Sequence, residues 1–388
     1  MKIAIVSTNF PRWEGDFRVP FIIDAAKAIQ AKGHIVRIIT LHQPGAARYE
    51  IMDGLEVFRA QYLPEKYEIL QKDAAGLPAA WKKGGATKIA MLPYFRALWA
   101  AVGKQAQGYD IIHANWSLAG AAAYLSQGSH HCPYVVTIHG SDIFKTVEKP
   151  LLRVPVKMAL KKADAIIAVS QALADKAVSI QIPEEKIRII PTGVDLHKFP
   201  VSNHPQRQNT LLYVGTLIER KGLIYLLEAM KQVKIRFPEY KLLIVGEGGL
   251  KDSLEQYTSE NNLNEQVTFL GTQTQAEVSR LMREAKLFIL PSTEEGQGAV
   301  LVEAMASGTP CIGSNAGGIP TVITPETGRV FEAGNSKALS EAIAFMLENE
   351  SFWKNAVKHS RVRAVTHYSW DVLADSIIAT YKKVLQMK

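Results

Sequence analysis

Residues 188–215 read RIIPTGVDLHKFPVSNHPQRQNTLLYVG. Between Ile190 and Leu211 the chain is polar and rich in Pro, Asn and His, and after it the series of β-rich runs restarts at Leu211. That middle stretch has the composition of a linker between domains, and the boundary is expected near Phe199. Upstream lie KIAIVS, IVRIIT, DIIHA, YVVTIH and AIIAVS; downstream lie LLYVG, KLLIVG, VTFLG, KLFILPS and PCIGS. Runs apolar on both faces, separated by lengths that suit helical crossovers, predict parallel strands covered by helices on each side. The expectation is therefore an α/β chain with two doubly wound domains, 1–199 and 200–368. The last pattern, over 369–388, is helical, with apolar Val372, Leu373, Ile377, Ile378, Tyr381 and Leu385, and is expected to pack back on the N-terminal domain. Doubly wound sheets bind ligands at the carboxyl ends of their strands, so the site is expected in a cleft where the two domains face each other.

Composition agrees with this outline. A chain of 388 residues exceeds the size at which one hydrophobic core stops growing, and 47% hydrophobic with 21% charged residues is the balance of a folded chain. Cys132 and Cys311 lie far apart and outside any metal-ligand spacing, which argues against a disulfide scaffold or structural zinc and fits a reducing cytoplasm. The opening MKIAIVSTNFPRW has too short an apolar run for a signal peptide. Residues 111–141 carry no charge, but Asn115, Gln127, His130, His131 and Pro133 make strand, helix, strand the better reading than a membrane span. The net charge of +8 sits in the first half: residues 1–200 hold 25 Lys and Arg against 17 Asp and Glu, and the remainder is balanced at 20 and 20. Acidic partners are expected to meet that half.

A second stretch, residues 294–320, reads EEGQGAVLVEAMASGTPCIGSNAGGIP. KLFILPS ends as a strand, TEEGQG turns, and AVLVEAMAS is a good helix former closed by Gly308 and Pro310. The first N–H groups, on Gly298, Ala299 and Val300, point out of the helix end, where the macrodipole favours an anion such as a phosphate. Glu303 lies about one and a half turns in, at roughly 3.6 residues per turn, where its carboxylate suits two neighbouring ribose hydroxyls. Glu295, before the turn, suits hydroxyls on the other side of the phosphate. The plain alternative is a solvated turn residue and a surface helix residue. The apolar run around Glu303 counts against it, because a carboxylate there needs a partner.

This segment resembles the E-x7-E signature of the retaining GT-B glycosyltransferases called family 4, or group 1. The likeness extends to TNFPRWEGDFRVPF, HGSDI, ADAIIAVS, VGTLIERKG and VGEGGL, ordered over nearly the whole chain. The resemblance implies two Rossmann-like domains, the first binding the acceptor and the second the nucleotide sugar, and transfer of a sugar from a nucleotide diphosphate donor. It implies that Glu303 holds the ribose, Glu295 the donor sugar, and the backbone from Gln297 through Gly298, Ala299 and Val300 the sugar and distal phosphate. An aromatic residue is common where this chain has Gln297, a departure that bears on which hydroxyl pattern is accepted. Retention by a front-face route, in which the leaving phosphate helps to deprotonate the acceptor, also follows from the resemblance.

VGTLIERKG places Arg220 and Lys221 between a strand and a helix, where fixed cations suit the charge that grows on a departing diphosphate; a solvated turn is the alternative. Family members usually carry an Arg directly after the Gly of this strand, and this chain has Thr216. No D-x-D, P-loop or full G-x-G-x-x-G occurs, so no catalytic metal and no cofactor is expected. In the first domain His139 closes YVVTIH and begins HGSD, at a strand end that faces ligand; with the resemblance it is expected beside the donor sugar. Gly15 and Asp16 follow the first strand, and the resemblance sets their loop against the phosphate and acceptor, with Asp16 standing where a second glycine is frequent. His113 holds a similar strand end.

Lys145, Lys149, Arg153, Lys157 and Lys161 recur every four residues, and Lys82, Lys83, Lys88 and Arg96 mingle with Trp81, Phe95 and Trp99. Such a mixture suits peripheral contact with an anionic membrane at a lipid-linked acceptor; a solvated face over core aromatics is the equal alternative. The reading is a cytoplasmic enzyme moving a hexose-type sugar from a UDP or GDP donor to a hydroxyl of a glycan or lipid-linked acceptor, with no nucleic-acid partner. A nucleotide-sugar epimerase of the same architecture and a non-catalytic nucleotide-sugar binder are the alternatives.

Overall fold

The strand runs of the first half pair into one sheet. They are β1 (Lys2–Ser7), β2 (Ile35–Leu41), β3 (Tyr49–Met52), β4 (Leu55–Ala60), β5 (Ile111–Asn115), β6 (Tyr134–Ile138), β7 (Ala165–Ala168) and β8 (Ile187–Ile189). Their order is β3-β4-β2-β1-β5-β6-β7-β8, parallel throughout except for the antiparallel pair β3–β4. The structure is a computed structural model. It describes the chain except residues 17–18, 71–83, 141–142, 144–149, 202–206 and 388, and residues 150–153 and 155 by backbone alone.

Strands β5, β6 and β7 are buried along their whole length, which a parallel sheet achieves only with helices on both faces. The pleat sorts alternate residues into two cores: Ala4, Val6, Ile112, Ala114 and Val136 on one face, Ile3, Ile5, Ile111, Val135 and Ile167 on the other. The second core is completed by the helix Trp370–Gln386, which buries Leu373, Ile377, Ile378 and Tyr381 there. Met1–Pro191 together with Trp370–Lys388 forms one compact unit, and Thr192–Ser369 the other. Phe199 is buried in the core of the second unit beside Val194, so the linker-like stretch starts that unit.

The second sheet comprises β9 (Gln208–Val214), β10 (Lys241–Val245), β11 (Val267–Gly271), β12 (Ala285–Leu290), β13 (Cys311–Ser314) and β14 (Gly328–Phe331). All pairs are parallel, in the order β11-β10-β9-β12-β13-β14. Strand order reverses between β9 and β12 in this sheet and between β1 and β5 in the first. Ligand crevices form at such reversals, outside the carboxyl ends of the strands.

The hairpin β3–β4 was not among the expected strands, although Asp53 and Gly54, both at positive φ (52° and 78°), are its Asp-Gly turn. The uncharged stretch 111–141 folds as β5, the helix Ser117–Leu125, the short helix Gln127–His130 and β6. Among the described residues no helix is long and apolar enough to cross a membrane.

Candidate active site

In the second unit β12 ends at Leu290, and the loop after it runs into the helix Ala299–Ala306. Gly298 caps this helix at φ 87°, ψ 56°. A Cβ there would stand 2.9 Å from Leu301 Cδ1 and 3.0 Å from Leu290 Cδ2, ends of leucine side chains that can shift, so it is the left-handed backbone that calls for glycine. The helix buries Leu301, Val302, Ala304 and Met305, whereas Ala299, Val300 and Glu303 share the face that is only half-buried. The N–H groups of Ala299 and Val300, which lack acceptors within their own helix, point out of its N-terminal end.

The loop bearing Glu295 is held on two sides. Thr293 N donates to Arg220 O (2.8 Å), and Arg220 Nη1 reaches Glu294 O (3.4 Å). On the other side Gly318 N donates to Glu295 O (3.3 Å), and Gly317, at φ 53°, lies so close that a Cβ would fall 1.8 Å from that carbonyl oxygen. The Glu295 carboxylate meets Lys221 Nζ at 2.5 Å and accepts from Ser292 Oγ at 3.2 Å. Burial works to raise its pKa; the Lys221 ammonium foremost, with Arg220 and the Ser292 hydroxyl, outweighs burial and holds the carboxyl below its ordinary range.

The Gln297 side chain is held by Thr192. It is 4% exposed, donates from Nε2 to Thr192 O (3.0 Å) and accepts from Thr192 N at Oε1 (2.5 Å). Both ends of the amide are engaged by one backbone unit, so only the Gln297 main chain stays with the helix start. At Thr216 the carbonyl accepts from the buried Tyr213 hydroxyl (3.2 Å), whose pKa burial raises. The guanidinium of Arg220 stands near enough to Glu295 to lower its pKa.

In the first unit His139 follows β6, with Nε2 3.0 Å from Asn115 Oδ1 and its ring packed on Trp116 and Phe21. Burial, with His113 as the lesser cause, pushes the His139 imidazole down to about 3, so it is neutral at pH 7. His113 lies deeper. Its Nε2 pairs with Thr137 Oγ1 (2.6 Å) and its Nδ1 with the Tyr381 hydroxyl (2.5 Å), and burial lowers it to about 4. Tyr381 comes from the C-terminal helix, so His113 joins that helix to β5 and β6. Gly15 is an exposed turn residue at φ 84°. The Asp16 carboxylate accepts from the Arg12 amide (3.1 Å) and from Arg12 Nε (2.8 Å), which directs it to shaping its own loop. Ser141, Asp142, Lys145 and Lys149 lie outside the described residues, as do Trp81, Lys82 and Lys83. Asn115 and Trp116 were missed in the sequence. The signal was their place immediately after the buried run IIHA, at a strand end beside the sheet's reversal.

The family description "Glycosyl transferases group 1" matches residues 196–363, and "Glycosyltransferase Family 4" matches residues 20–198. The chain belongs to the group 1, family 4-like glycosyltransferases. This glycosyltransferase is 28% identical to the phosphatidyl-myo-inositol mannosyltransferase of Mycobacterium tuberculosis over 94% of its own length and 92% of the relative's. Its fold is GT-B. A sucrose-phosphate synthase from Thermosynechococcus elongatus superposes with a TM-score of 0.81 at 23% identity, each chain covered in full. The Anabaena protein HepE, solved with UDP-glucose, superposes with a TM-score of 0.75 at 19% identity, over 99% of this glycosyltransferase and all of that chain.

Proposed function

We propose that this glycosyltransferase moves a hexose-type sugar from a UDP- or GDP-sugar to a hydroxyl of a glycan or lipid-linked acceptor, with retention of configuration and without a catalytic metal. The observation that carries the reading is the Lys221–Glu295 pair set beside a helix start whose open face holds Glu303. The diphosphate takes the N–H groups of Ala299 and Val300 together with Lys221 and Arg220. Glu303 accepts from the ribose hydroxyls, and Glu295 from the hydroxyls of the sugar. As the glycosidic bond breaks, negative charge grows on the leaving diphosphate; each fixed cation aimed at it is worth on the order of 3 kcal/mol of transition-state stabilisation. The departing phosphate takes the acceptor's proton on the same face of the sugar, a route that requires no covalent nucleophile.

The first unit takes the acceptor in this reading, with the Gly15 loop beside it. His139, neutral at working pH, serves as a hydrogen-bonding group to a sugar hydroxyl and not as an acid or base. UDP-glucose in the Anabaena protein supports a UDP-sugar donor, and the acceptor named for the mycobacterial relative supports a lipid-linked one.

Thermal-shift titration with UDP, GDP and their sugars tests the donor, because a ligand of the native state raises Tm. One nucleotide series is expected to raise Tm, and EDTA to leave turnover unchanged. No shift with either nucleotide, or turnover abolished by EDTA, overturns the reading. Epimer formed in the absence of acceptor would make the enzyme an epimerase.

A further inference from the structure

Trp116 has φ 68° and ψ 152°, a backbone region that glycine occupies and residues with a Cβ avoid. It directly follows β5, where the strand order of the first sheet reverses, and its amide donates to Thr137 O at 2.9 Å. Such strain persists only where the surroundings impose it, and it gathers at functional sites. What the strain achieves here is the placement of a half-buried indole. Its ring lies 4.9 Å from that of His139 at 44° and 6.3 Å from that of Phe21 at 62°, and Phe21 lies 5.2 Å from His139. Three rings thus pack together at the carboxyl edge of the sheet, with the Asn115 amide at their margin.

The group contrasts with the donor-side loop of the second unit. There Lys221 and Arg220 provide the positive charge that a diphosphate requires, whereas Trp116, Phe21 and the neutral His139 provide none. An uncharged aromatic surface fits the C–H face of a saccharide or cyclitol ring, which leaves the ring's hydroxyls to hydrogen-bond at the margin. We infer that Trp116, backed by His139 and Phe21, is the platform on which the acceptor stacks, and that the acceptor is therefore a ring-bearing polyol or sugar at the hydroxyl that receives the glycosyl group. The inference rests on the reading that the first unit takes the acceptor.

Trp116→Gly separates the indole from the strain, because glycine suits this backbone while carrying no platform. The probes are methyl α-D-glucopyranoside and myo-inositol, which have a ring face, and glycerol, which has none, titrated by saturation-transfer NMR; UDP and GDP are titrated by calorimetry. In Trp116→Gly the ring probes are expected to weaken roughly tenfold, glycerol to be unaffected, and nucleotide binding to stay at its wild-type value. Trp116→Phe, which keeps a smaller face and serves if the glycine variant does not fold, is expected to lie between. Ring probes that fail to saturate the wild type, or that bind wild type and both variants alike, overturn the platform, as does an equal loss of ring probes and glycerol. Failure of UDP and GDP to bind the wild type would count against the donor reading and leave the ring-probe comparison to decide this one.

Discussion

The Lys221 ammonium stands 2.5 Å from the Glu295 carboxylate, with 15% and 12% of the two side chains exposed. Each neutralises the other in a region shielded from water, so removal of either leaves a largely buried charge without its partner. Lys221→Ala is expected to lower kcat roughly 10²- to 10³-fold and to lower Tm as well. Steady-state kinetics and a thermal melt check this; wild-type kcat in the variant would remove Lys221 from the machinery.

Glu303 and Glu295 are expected to separate in binding experiments. Glu303→Ala should weaken every UDP or GDP ligand by about 10- to 100-fold, the range for a hydrogen bond to a charged group. Glu295→Ala should impair use of the sugar more than it impairs binding of the free nucleotide diphosphate. Calorimetry with nucleotides and nucleotide sugars decides; equal and negligible effects would contradict both assignments.

Gln297 is expected to govern stability and not the choice of sugar. Gln297→Met keeps the volume but leaves the buried Thr192 N–H and C=O without the side-chain amide, at a cost of about 1–3 kcal/mol. Tm should fall while the ranking of donor sugars by kcat/KM stays the same. A reordered ranking at unchanged Tm would return the side chain to the sugar.

His113 sets a pH dependence. Its folded pKa, about 4, lies below the ordinary 6.5, so between those values the unfolded chain binds a proton that the folded chain does not. The stability tied to neutral His113 is fully present above pH 6.5 and is lost as pH falls toward 4, by up to about 1.4 kcal/mol per pH unit. Urea midpoints at pH 7.5 and pH 5 should show the loss. His113→Gln should be less stable at pH 7.5 yet show a shallower slope, with His130 and His139, shifted the same way, keeping part of it. An unchanged slope would acquit His113.

A membrane contact has a candidate surface in the first unit. The helix Ala86–Gln105 exposes Ile89, Leu92 and Trp99 between Lys88, Arg96 and Lys104, and the helix Pro150–Lys162 exposes Val154 and Met158 near Lys161 and Lys162. Both helices pack on Ser117–Leu125, so their outer faces lie on the same side of the first sheet. Flotation with anionic liposomes is expected to recover the enzyme at low salt and less at high salt, and Ile89→Glu with Leu92→Glu to abolish recovery. Absence of binding would leave a solvated face.

Much of this was legible in the chain because it is local. Ten apolar runs became ten strands, since a parallel strand buried on both faces reads as an uninterrupted apolar segment. The helix start at Gly298, the carboxylates of Glu295 and Glu303, and the cations at Arg220 and Lys221 were visible because their spacing along a strand, turn and helix determines where they point. Strand β8 is only three residues long, and β14, GRVF, is interrupted by Arg329, so neither stands out as an apolar run.

What the sequence determined by itself was the winding of two sheets and the strand ends that Glu295 and His139 follow, both consequences of periodicity and turn chemistry. The tertiary structure alone decided the partners brought together from distant parts of the chain: Lys221 with Glu295, Gln297 with the Thr192 peptide, Tyr381 with His113, and Trp116 with His139 and Phe21. Such pairings depend on strand order and on the path of the C-terminal helix. These are settled by how cores fill, and no short window of residues records that.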